Sequence, residues 1–313
     1  MKFDFNNKRF ILAPLTNFSD TGMRILSKKF GADLVFTGMI SVYEIINKND
    51  LPFKIYDDER PISLQIFGNY PFLIEKAVKI IGDRVDLIDL NFGCPSRKII
   101  ENYNGGFLLQ DKNKIKTLIR SALNSSKVPI SVKIRSGFDQ NNLNYLEIGK
   151  ICEEEGIFFL TIHPRTVKMK YFGKVDLNIT KELKRNLKIP VVHSGDVFNY
   201  LDAEEVFKKT NCNGIMFGRG AIGNPWIFLD TKKYIFNGEI PQKVSLEEKI
   251  KVIIEHIEIL YSIYGENYTI KQMKIHIPKY LKGYPKITKL NKSLNGVKSI
   301  NELKYFLYNF RKL

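Results

Sequence analysis

Along the first two thirds of the chain, short apolar and β-branched runs alternate with longer stretches in which apolar residues return at helical spacing. The runs fall at residues 10–13, 34–36, 62–66, 87–91, 130–134, 158–162, 190–193 and 214–217. Strand and helix in strict alternation predict a parallel sheet. Eight such units before about residue 220 match the repeat of a closed (β/α)8 TIM barrel. An open doubly wound sheet fits less well, because no GxGxxG follows the first run. The pattern changes after Phe236. Residues 237–241 read as a linker. Ser245-Leu246-Glu247-Glu248 has the spacing of a helix capping box. Leu246, Ile250, Ile253, Ile254, Ile257 and Tyr261 then follow on one helical face, and two more helices are predicted around residues 270–281 and 299–310. The expected organisation is α/β: a barrel over residues 1–238 and a small C-terminal helical domain over 241–313.

Composition narrows the class. In a chain of 313 residues, a 44% hydrophobic fraction is enough to fill a sizeable core. No apolar run reaches the length of a membrane span, and the first residues lack the apolar stretch of a signal peptide, so a cytoplasmic protein with no membrane partner is expected. The three cysteines, Cys94, Cys152 and Cys212, form no CxxC pair and no metal-ligand spacing with histidine, so neither disulfides nor a metal site is expected. The formal net charge of +16 favours polyanionic partners. Its distribution says more. Between Lys271 and Lys298 there are eight lysines and no acidic residue, with Tyr280 and Tyr284 among them. Such a stretch suits a phosphate backbone, although a solvated lysine face has the same composition.

Polar and glycine-containing segments cluster where the strands end, which in a TIM barrel is the active face. Cys94 stands between Gly93 and Pro95 after the fourth strand, on a shaped loop and not in an apolar run. With an ordinary thiol pKa of about 8.5 it is protonated near neutral pH and can donate a proton; a nucleophilic role requires a base. Lys133 lies inside the fifth strand, where a cation is costly unless it faces an anion or a polar cavity. His163 ends the sixth strand with Arg165 two residues on. Ser194-Gly195-Asp196 and Gly218-Arg219-Gly220 follow the seventh and eighth strands, where barrels hold phosphate on backbone N–H groups. His193 reads as packed, and His276 as an RNA contact or a helix cap.

These segments, taken together, resemble the tRNA-dihydrouridine synthase family, and within it the bacterial B-type branch. The markers are Ala13-Pro14-Leu15-Thr16 with Asp20 following, Gln65-Ile66-Phe67-Gly68, Asp89-Leu90-Asn91-Phe92-Gly93-Cys94-Pro95, Lys133-Ile134-Arg135-Ser136-Gly137, His163-Pro164-Arg165-Thr166, the two glycine loops and Asn224-Pro225-Trp226. The chain departs from the usual pattern at Leu15, Pro164, Ser194 and Lys279. The resemblance implies a tightly bound FMN, NADPH as reductant, tRNA as substrate and a monomer. It places Pro14, Leu15, Thr16, Gln65, Lys133 and His163 at the flavin ring. It assigns Ser194, Gly195, Asp196, Gly218 and Arg219 to the phosphate end. Cys94 becomes the general acid, and Asn91, Lys98 and Arg135 lie toward the substrate base. The alternative is an FMN barrel acting on a small pyrimidine or another small molecule, for which a basic helical tail has no use.

Overall fold

The computed structural model describes residues 3–284 and 294–311. Lys286, Lys289 and Lys292 of the basic stretch lie outside the described residues. Among the described residues there are nine strands: β1 (Arg9–Leu12), β2 (Leu34–Phe36), β3 (Ile40–Ser41), β4 (Ile62–Phe67), β5 (Leu87–Phe92), β6 (Ile130–Arg135), β7 (Leu160–His163), β8 (Val191–Ser194) and β9 (Gly214–Phe217). Every pairing is parallel, β1 joins both β2 and β9, and β2 joins β4, so eight strands close on themselves. The two-residue β3 is a stub on β4. The expected (β/α)8 barrel is therefore present, with helices between the strands.

Strand alternation explains how the barrel is filled. Side chains two apart share a face. In β5, Ile88, Leu90 and Phe92 pack in the apolar layer shared with the surrounding helices, while Leu87 joins Ile11, Phe36, Phe159, Val192 and Met216 in a separate cluster inside the barrel. Asp89 and Asn91 follow Leu87 on the same side of the strand. The same parity puts Ser131, Lys133 and Arg135 of β6, and Thr161 and His163 of β7, toward the interior. The lumen thus runs from an apolar floor to a polar mouth. Phe158 and Phe159 precede β7 and do not open it; with Phe3 and Phe5 they form the aromatic floor, where the Phe3 and Phe5 rings stand 5.1 Å apart.

The tail keeps its expected helices but not all of its expected faces. Between Leu246 and Tyr280 two helices meet at Gly265, whose φ of 75° leaves helical space, and they fold back on each other, with the His256 and His276 ring centres 4.6 Å apart; a third helix spans Ile300–Arg311. Leu260 is buried and Tyr261 is half exposed, one position off the expected face. Ser245 caps the first of these helices by accepting the Glu248 N–H at 3.1 Å. The Glu248 carboxylate accepts instead from Trp226 Nε1 at 3.2 Å, which ties that helix to the barrel's last helix-bearing segment. Ile253, Ile257, Met273, Ile277 and Leu303 form a core that also takes Leu26 and Trp226 from the barrel side. His276 and Tyr280 are fully buried, so His276 neither contacts RNA nor caps a helix, and Tyr280 is not part of the basic surface. Among the described residues no helix is long and apolar enough to cross a membrane.

Candidate active site

The polar mouth opens into a cleft with two lobes that share Pro14, Leu15, Lys133, His163 and Tyr171. The first lobe, about 320 Å³, adds Thr16, Gln65, Asn91, Cys94 and Arg135. The second, about 270 Å³, adds Ser194, Gly195, Asp196, Gly218 and Arg219. Every residue to which the resemblance gives a flavin, substrate or acid role meets in this cleft except Lys98, which stands on the helix Arg97–Glu101 and lines neither lobe.

A buried polar network forms the floor of the first lobe. Asp89, fully buried, accepts from Gln65 Nε2 at 2.7 Å and from Ser131 Oγ at 2.5 Å. Gln65 Oε1 in turn accepts from Asn91 Nδ2 at 2.8 Å. Burial pushes the Asp89 carboxyl up to about 6, against the pull of Ser131, Gln65 and Lys133. Lys133 lies next to Asn91 across the β5–β6 ladder. Burial, reinforced by Arg135, brings its ammonium down to about 8. Among the described residues it has no hydrogen-bond or ion-pair partner, so its charge is presented to the cleft.

Two side chains hold the Cys94 loop. Asn91 Oδ1 accepts from the N–H groups of Gly93 at 3.1 Å and Cys94 at 2.9 Å. Arg135 Nε donates to Gly93 O at 3.0 Å, and its Nη1 donates to Thr166 O and Lys170 O. The polar atoms of Asn91 are thus spent within the protein, which makes it a support of the thiol loop. Gly106 N–H donates to Cys94 O at 3.0 Å, and a Cβ on Gly105 would sit 3.0 Å from Cys94 Cβ. The loop therefore needs this glycine pair, which carries no motif of its own in the sequence. Burial raises the Cys94 thiol above its usual range, so it keeps its proton at neutral pH.

Arg165 was noted in the sequence beside His163 but given no role, and Tyr171 was passed over. Arg165 is buried; it pairs with Asp196 and reaches His163 Nε2 at 3.3 Å. A guanidinium only donates, so Nε2 accepts and the ring proton sits on Nδ1. Burial and the neighbouring Arg135, Lys133 and Arg165 hold His163 well below its ordinary pKa, hence neutral. The ring of Tyr171 forms a wall of both lobes, with the Arg135 and Arg219 guanidinium carbons 5.5 and 5.4 Å from its centroid. It lies in an irregular loop after β7, where no periodicity marks it.

The second lobe has the character of an anion site. A Cβ built on Gly218 would make only ordinary van der Waals contact, with Ala13 Cβ at 3.9 Å and Leu15 Cδ2 at 4.0 Å, so the backbone there is not crowded. Arg219 Nη2 is held at 2.9 Å by Asp196, whose carboxylate is also claimed by Arg165. The Asp196 side chain is thereby neutralised and serves to aim the two arginines. Around the whole cleft Lys133, Arg135, Arg165 and Arg219 outnumber Asp89 and Asp196, which favours an anionic ligand.

Chemistry gathered at the C-terminal rim of a parallel barrel defines an enzyme of the (β/α)8 class. The family model for dihydrouridine synthase matches residues 11–312, and the chain belongs to that family. It is 33% identical over 294 residues to a probable tRNA-dihydrouridine synthase of Rickettsia conorii, covering 92% of this chain and 89% of that one. It is also 33% identical over 309 residues to tRNA-dihydrouridine synthase B of Pasteurella multocida, covering 97% and 93%. Among solved structures, histamine dehydrogenase from Rhizobium sp. 4-9 shares the barrel, with a TM-score of 0.53, 12% identity and 80% of this chain covered against 49% of that one.

Proposed function

We propose that the chain is a tRNA-dihydrouridine synthase that binds FMN in this cleft and reduces the C5–C6 double bond of uridine in tRNA, with NADPH as reductant. The observation that carries the reading is the partnerless Lys133 ammonium, set between a thiol that keeps its proton and a glycine-lined anion lobe. Pro14, Leu15, Thr16, Gln65, Lys133 and His163 would hold the ring; Ser194, Gly195, Asp196, Gly218 and Arg219 would hold the phosphate end. Bound FMN supplies the hydride that C6 of the uracil ring receives.

The chain's own residues do the rest. Lys133 puts positive charge where negative charge develops. Cys94 gives its proton to C5, and solvent returns one to the thiolate. Asn91 and Arg135 keep the thiol loop in place for that transfer. The target base must leave the tRNA stack to reach the first lobe, a step that is least costly for a loosely stacked loop base.

In the same proposal residues 1–238 form the catalytic unit and 241–313 the tRNA-binding unit. A groove of about 940 Å³ begins at Arg219 and runs along Lys243, Lys249, Lys279 and Lys282 toward the tail, which suits a phosphate backbone leading to the cleft. Both tRNA and NADPH are met in the cytoplasm.

Purified protein should be yellow, and with NADPH it should form dihydrouridine in tRNA but not in free uridine. Turnover of free uridine at the tRNA rate would favour a small-molecule reductase, and a colourless protein that takes up no flavin would reject the reading.

A further inference from the structure

The tail meets the barrel over one buried carboxylate. Asp20 lies two residues beyond Phe18, which lines the first lobe, and it starts the helix Thr21–Lys29 by accepting the Met23 N–H at 2.8 Å. Both of its oxygens are shared with tail histidines, one on each of the two helices that meet at Gly265. Oδ1 is 3.0 Å from His256 Nε2, and Oδ2 is 2.7 Å from His276 Nε2. The two rings are completely buried. His276 also meets Phe18 edge-on, with the ring centres 5.3 Å apart. Gly22 makes room for this approach, since a Cβ there would lie 2.3 Å from His256 Cδ2.

Burial alone would push the Asp20 carboxyl up, but His256 and His276 hold it well below the usual carboxylate range. An ionised carboxylate only accepts, so one N–H on each ring satisfies both pairs. A buried polar cluster of this kind adds little stability over apolar residues of the same volume; what it supplies is a fixed geometry. The segment it fixes is the one that lines the cleft. Between β1 and Asp20, the loop at residues 14–18 is otherwise held by local bonds, with Ser19 Oγ accepting from Leu15 N–H at 2.7 Å and donating to Ala13 O at 3.0 Å.

We propose that His256 and His276 are positioning residues: by sharing Asp20 and backing Phe18 they set the 14–18 loop, so that the tail completes the cofactor cleft in addition to any surface it offers to RNA. The inference rests on the flavin reading above.

The test uses the full chain freed of flavin, with FMN affinity read from quenching of FMN fluorescence and tRNA affinity from filter binding. His276→Leu removes one donor, while His276→Gln restores an amide N–H at nearly the same reach. Tyr264→Phe removes a different tail contact, the 2.7 Å bond between Tyr264 Oη and Thr21 Oγ1, and serves as control. The expectation is a loss of FMN affinity of about tenfold in His276→Leu, recovery in His276→Gln, and unchanged values in Tyr264→Phe, with tRNA affinity constant to about twofold throughout. Equal FMN affinity in wild type and His276→Leu overturns the proposal, as does a loss confined to tRNA binding or a failure of glutamine to rescue. If His276→Leu does not fold, Asp20→Asn, which keeps the helix cap, decides the question by the same measurement. A wild-type chain that takes up no FMN removes the flavin reading itself.

Discussion

The barrel mouth and the tail are built by different rules. At the mouth, each polar side chain is delivered by a strand of period two, so parity along a few consecutive residues fixes where it points. Asp89 and Asn91, Lys133 and Arg135, and Thr161 and His163 reach the lumen for the same reason. In the tail, helical faces are set by packing within the tail and by contacts made 200 residues and more away in sequence. His256 and His276 find their partner at Asp20, 236 and 256 positions upstream. The mouth is locally determined and chemically exposed; the tail interface is globally determined and sealed. Substitutions at the mouth should therefore act on chemistry, and substitutions at the seam on binding and stability.

The largest expected effect is Cys94→Ala. Loss of a positioned acid should lower dihydrouridine formation by about 10²–10⁴-fold. FMN uptake and the fold should be unchanged, because the thiol only receives the Ser96 N–H and the loop stays held by the Gly93 and Cys94 N–H groups on Asn91. Single-turnover oxidation of the reduced enzyme by tRNA measures this directly. A variant of near-normal rate would remove Cys94 from the reaction.

Asp89→Asn probes the stability stored beneath the cleft. The carboxyl is pushed from 3.8 up to about 6 by burial. Between those values the native chain keeps a proton that the unfolded chain has lost. The stability this contributes is complete below pH 3.8 and is lost as pH rises through about 6. A shift of this size corresponds to about 3 kcal/mol. Asparagine cannot ionise, so calorimetry should find a smaller fall in Tm from about pH 4 to about pH 7 in the variant than in wild type. Equal falls would show that Asp89 does not carry the dependence.

Asn91→Ala separates support from recognition. The side chain spends its carbonyl oxygen on Gly93 and Cys94 and its amide on Gln65. Its loss should loosen the thiol loop and lower kcat by about tenfold, with the KM for tRNA nearly unchanged. A rise in KM at constant kcat would restore Asn91 to the role of a base contact, the one the family resemblance implies.

These cases also mark how far the sequence carries. All eight barrel strands were legible, because short β-branched runs separated by helical stretches have few other solutions. Most of the cleft was legible too, through residues whose types are unusual inside strands: Lys133 and His163 above all. Asp89 could have been found by the parity that exposes Asn91. Tyr171 could not, since it sits in a loop whose path depends on Arg135, Arg165 and Arg219. The tail was read least well. His276 and Tyr280 stood in a lysine-rich stretch and looked solvated; composition does not say which face of a helix docks. The apolar spacing predicts Tyr261 on the inner face, whereas the helix turns Leu260 there.

Ser245→Ala gives the smallest expected effect and draws the boundary of the seam. The serine hydroxyl accepts the Glu248 N–H and so satisfies one of the orphan donors at the start of the first tail helix. Removing an N-cap of this kind costs about 1 kcal/mol. The start of that helix is tied to Trp226 through Glu248, whereas the contact with Asp20 is made at His256, further along it, and at His276 on the helix that follows Gly265. A frayed first turn should therefore lower Tm slightly while leaving FMN affinity at the wild-type value. If the cap variant weakened FMN binding as much as a substitution at His276, the paired helices would transmit strain as a unit, and control of the 14–18 loop would belong to the entire tail and not to the histidine pair.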